Sequence, residues 1–74
     1  MMSIERYLIK LGKLYKVPIE NITVIKESTY SYIHWNNGYC GYDFKSRTKQ
    51  RLRNKLLEYF RSGKALFRFN MDKM

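Results

Sequence analysis

The chain has 74 residues, 45% of them hydrophobic and 16% aromatic, which suffices for one small core, is too short for two, and is too apolar for a disordered polyelectrolyte. Fifteen Lys and Arg against six Asp and Glu leave a formal charge of +9, so an anionic partner is expected: nucleic acid first, then an acidic protein, with an anionic membrane surface last. One Cys and one His exclude an internal disulfide framework and a zinc site built from this chain alone, and no cofactor or metal is expected.

The first sixteen residues, MMSIERYLIKLGKLYK, interrupt their apolar side chains with charge every few positions. That pattern fits neither a signal-peptide core nor a membrane span, so the sequence predicts a cytoplasmic protein folded as a single domain over 1–74. Ser3 is a plausible N-cap, and Ile4, Tyr7, Leu8, Leu11, Leu14 and Tyr15 recur at three- and four-residue steps; the spacing predicts an amphipathic helix that Pro18 stops. Asn21 to Glu27 is rich in β-branched residues and reads as a strand, with Ile22 and Val24 on one face and Thr23 and Ile25 on the other.

Asn37-Gly38 is a strong hairpin signal, since a two-residue type I′ loop needs positive φ at both positions. Taken as the loop, it sets Trp35 opposite Cys40, Ile33 opposite Tyr42, and His34 opposite Gly41 with Asp43 on its diagonal. Ile33, Trp35, Cys40, Tyr42 and Phe44 then form a core face, and Tyr30, Tyr32, His34, Asn36 and Tyr39 an open one.

KSRTKQRLRNK, residues 45–55, puts a cation at every second position: Lys45, Arg47, Lys49, Arg51, Arg53 and Lys55. A strand there would bury only Leu52. A helix capped at Ser46 or Thr48 and running to Ser62 aligns Leu52, Leu56, Tyr59 and Phe60 in one stripe flanked by Leu57, so a helix is predicted. It surrounds its own first turns with cations, and Arg47 and Arg51 share a face with Asn54 and Arg61 beside them. Glu58 is the only acid between Lys45 and Lys64. After Gly63, alternating Phe67, Phe69 and Met71 predict a short final strand, which would also offer a dimerisation edge. The expected fold is α+β: α-β-β-β-α with a three-stranded antiparallel sheet packed on two helices, plus that strand.

The expected binding residues follow. Lys45, Arg47, Lys49, Arg51, Arg53, Asn54 and Lys55 meet phosphates at the helix start, and Tyr30, Tyr32, His34 and Tyr39 offer aromatic contacts from the hairpin face. Histidine titrates near neutrality, but a lone His without a second acid, nucleophile or metal set does not make an enzyme, and none is expected. Cys40 reads as an inert core residue.

The element order, the hairpin and the basic run opening the second helix resemble the double-stranded RNA-binding domain. The resemblance implies that Arg47, Lys49 and Arg51 bridge phosphates across a major groove. It covers residues 3–62 as layout; Lys26-Glu27-Ser28-Thr29 stands where that family has a Gly-Pro-x-His loop. YSYIHWNNGYCGYDFKSRTKQRL also resembles the sheet-then-helix arm-binding domains of tyrosine-type integrases, which would turn Tyr30, Tyr32, His34 and Tyr39 towards bases. Small endoribonuclease toxins share the layout with one catalytic His, in a Gly-Ser-His context that this chain lacks. The sequence reading is a nucleic-acid-binding module, duplex favoured, with a Lys-, Ile-, Asn- and Tyr-rich composition that suits a phage or mobile-element accessory protein. The alternative is a small inhibitor or adaptor docking its basic face on an acidic host protein.

Overall fold

Ser3 opens the first helix by accepting from the Arg6 amide at 3.2 Å, and α1 (Ile4–Tyr15) turns Ile4, Leu8 and Leu11 inward. Leu14, at the edge of that stripe in the last turn, stays 64% exposed. The helix ends before Pro18 acts: Lys16 takes a left-handed φ of 59°, and the Val17 amide returns to the Gly12 carbonyl at 2.9 Å. The computed structural model describes residues 2–74.

Three antiparallel strands follow in the order β1-β2-β3: β1 (Glu20–Lys26), β2 (Ser31–Asn36) and β3 (Gly41–Ser46). The hairpin register differs from the expected one by two residues. Trp35 lies opposite Tyr42, Ile33 opposite Phe44, and His34 opposite Asp43. Gly38-Tyr39, not Asn37-Gly38, is the connection: Asn37 N donates to the Cys40 carbonyl at 3.0 Å. Only Gly38 takes a positive φ, 96°, whereas type I′ needs two such residues.

The reason is Asn37 itself, which is 1% exposed. Its Oδ1 accepts from the Tyr39 and Cys40 amides at 2.9 Å each, and its Nδ2 donates to the Tyr42 hydroxyl at 2.6 Å. A side chain so engaged belongs to the strand end rather than the loop tip. A shift of two preserves parity, so Ile33, Trp35 and Tyr42 still face the core. Cys40 does not join them fully; it is half-buried at the turn.

The basic run of residues 45–55 leads into a helix that starts at the later of the two expected caps. Ser46 ends β3, Arg47 lies in the bend, and Thr48 caps α2 (Lys49–Arg61) by accepting from the Arg51 amide at 3.1 Å. Leu52, Leu56 and Phe60 are buried to 1% exposure or less, each worth about 1.5–3 kcal/mol of transfer free energy. Phe60 stacks on Trp35 at 6.1 Å between ring centroids, and Tyr42 and Phe44 close on the same indole at 5.1 and 5.3 Å. α1 packs on α2, which lies across β2 and β3.

The predicted final strand is a helix, α3 (Lys64–Asp72), set off from α2 by Gly63 in the left-handed region. Ala65, Phe69 and Asp72 recur at helical spacing towards the fold, and Asp72 accepts from Asn37 Nδ2 at 3.1 Å. Local aromatic alternation loses to that anchoring and to the Ala, Leu and Met that favour helix. With no strand there, dimerisation through a C-terminal strand edge is withdrawn. The architecture is α+β: a three-stranded sheet whose Ile33, Trp35 and Tyr42 join the helices in one core, while the alternate residues Tyr32 and His34 stay partly exposed on the other face.

Candidate nucleic-acid interface

β3 delivers Lys45 to the open sheet face, the bend delivers Arg47, and the first half of α2 delivers Arg51, Asn54 and Lys55. These five line one cleft with Tyr30, the residue just before β2. Lys45 Nζ lies 4.4 Å above the Tyr30 ring, a cation–π contact that holds both at the cleft edge. Lys55 Nζ donates to the Lys45 carbonyl at 2.7 Å, and Gln50 Nε2 donates to Asn54 Oδ1 at 3.2 Å.

Among the described residues the side-chain ion pairs are His34 with Asp43 and Arg61 with Glu58, the latter at 3.7 Å between exposed groups. Neither involves a cation of 45–55. The first turn of α2 carries no acid, so the positive end of the helix dipole meets only positive side chains. That arrangement is unfavourable in isolation and becomes favourable when an anion arrives.

Not all expected residues converge. The Arg53 guanidinium donates to the Met2 carbonyl, which turns it towards the start of α1 and away from the cleft. Lys49 is exposed but lies outside the cleft lining. Tyr39 leaves the open face altogether: at the hairpin turn its ring packs 6.0 Å from Phe69 of α3, a placement forced by the shifted loop.

Tyr32 and His34 do share the open face, around a carboxylate the expected register placed only diagonally. Asp43 Oδ1 accepts from the Tyr32 hydroxyl at 2.5 Å and lies 2.6 Å from His34 Nδ1. The Tyr32 hydrogen bond, and then His34, hold the Asp43 carboxyl below its usual range, while the same bond raises the Tyr32 phenol. At the far edge of the core, burial first of all pushes the Tyr42 phenol up to about 12.

The sequence reasoning missed Thr29 and Ser46, which complete the cleft, and it missed the groove beyond Lys55. Tyr59 at helical spacing from Lys55 was the available signal for that extension. Comparison with family models, curated proteins and solved structures finds no match to the chain.

Among the described residues no helix is long and apolar enough to cross a membrane, and no cluster of three metal-ligating side chains occurs.

Proposed function

We propose that the chain is a non-catalytic nucleic-acid-binding module, cytoplasmic, whose cleft between the β2–β3 edge and the first half of α2 grips phosphates. Lys45, Arg47, Arg51 and Lys55 supply the charge, Asn54 a polar contact, and Tyr30 an aromatic face. The single observation behind this reading is that these cations gather on one cleft without a carboxylate partner. Cations so placed gain most from a polyanion, through counterion release that is independent of sequence. Lys49 and Arg53, at the flanks, contribute to the field and not to the cleft.

Duplex is favoured because the contacts come from a rigid helix and a sheet edge with fixed spacing. Tyr32 and His34 lie beside the cleft on the open sheet face, where they meet sugars or bases of the same ligand.

The test is a mobility-shift assay at low salt with generic duplex DNA, double-stranded RNA, and single strands of each. Micromolar protein is expected to retard duplexes irrespective of sequence. If all four migrate freely, the basic face serves an acidic protein partner instead, and the nucleic-acid reading is abandoned.

A further inference from the structure

The groove that begins at the cationic cleft continues past it. Lys45, Asn54 and Lys55 also line a second depression bounded by Phe44 and Tyr59. Tyr59, Ser62 and Lys64 carry that depression into a third, walled by Phe67 and Met71 of α3. The third is the apolar end: Phe67 is 68% exposed and Met71 55%. Four residues apart, they stack on the face of α3 turned away from Ala65 and Phe69.

Charge along this path is positive once its acids are counted. Asp43 is held by Tyr32 and His34, Glu58 faces Arg61, and Asp72 accepts from Asn37. Lys45, Lys55 and Lys64 stand on the path without a carboxylate within ion-pair distance. Successive cations beside exposed aromatic faces are the general makings of a single-strand groove, because phosphates follow the cations and any base stacks on a ring.

We propose that the α3 end of the groove is a subsite for unpaired nucleotides of the strand whose phosphates enter at the cleft, with Phe67 as the stacking face and Lys64 as a phosphate contact. This rests on the nucleic-acid reading above, and it makes a duplex with a single-stranded overhang the preferred ligand. Length sets a second condition. From Arg51 to Ser62 the helix rises about 16 Å, or roughly five stacked nucleotides of one strand, so very short overhangs do not reach Phe67.

The test compares a labelled blunt duplex with the same duplex bearing oligothymidine overhangs of roughly two and roughly eight nucleotides, lengths on either side of that reach. Wild type is expected to bind the long overhang about fivefold to a hundredfold more tightly than the blunt end. Phe67→Ala is expected to lose most of that gain while leaving blunt-duplex affinity unchanged, and Phe67→Trp to keep it. Sedimentation of protein alone runs alongside.

An overhang gain that survives Phe67→Ala overturns the subsite and leaves the cleft reading standing. Failure to bind blunt and tailed duplex alike overturns both. Self-association abolished by Phe67→Ala shows the groove to be covered by a second copy, which also overturns the proposal.

Discussion

Asp43 concentrates the chemistry of the open sheet face in one carboxylate oxygen. It accepts the Tyr32 hydroxyl and faces His34 Nδ1, and its pKa is lowered chiefly by the first of these. A carboxyl with a folded value below its unfolded one contributes stability above the unfolded range, near pH ~4, and loses it as pH falls through the folded value. Tyr32→Phe is therefore expected to move the Asp43 titration upward, read by NMR of the side-chain carboxyl, and to shift the acid unfolding limb to higher pH. An unchanged Asp43 titration would mean that the hydroxyl does not hold the charge. At the same scale, the place of Tyr32 and His34 on the open face was legible from the alternation along β2, but their partners were not, and Tyr39 was carried off that face by the shifted loop. Parity survives a two-residue slip of the loop, and opposition does not.

The elements show where local pattern suffices and where a distant side chain decides. Periodicity alone gives α1, and the leucine spacing gives α2 against the competing two-residue alternation of its cations, because only a helix buries Leu52, Leu56 and Phe60 together. α3 was misread as a strand. Its helical state is pinned by Asp72, which shares a partly buried hydrogen-bond network with Asn37 and Tyr42. No windowed reading of residues 65–71 contains that information.

Asn37→Ala is expected to cost about 3 kcal/mol in denaturant unfolding, since it strips the shared acceptor from two turn amides and a donor from the buried Tyr42 hydroxyl and the half-buried Asp72 carboxylate. It is expected to lower protection of α3 amides in hydrogen exchange at the same time, although residues 64–72 lie far along the chain. A loss confined to the hairpin would show that α3 stands without this network. The cleft itself was half legible: the run from Lys45 to Lys55 named its cations, but only the bend at Arg47 and the late cap at Thr48 decide which of them converge. Arg53 and Lys49, equal to the others in sequence, are directed elsewhere.

At the scale of the whole molecule, α1 and α3 both pack on α2, which lies across β2 and β3, and the chain carries a net charge of +9. From Arg51 to Ser62 α2 rises about 16 Å, so a strand lying along it meets several phosphates in succession and not merely one. Such binding is governed by the number of counterions displaced, which converts the geometry of the cleft into a countable quantity.

The most direct measurement is the affinity for a generic duplex across a series of salt concentrations, for wild type, Arg47→Ala and Arg51→Ala. Wild-type log K is expected to fall linearly with log salt, and each substitution to weaken binding to every sequence alike and flatten the slope by about one. A slope that both substitutions leave untouched would contradict a phosphate-gripping cleft formed by these two arginines.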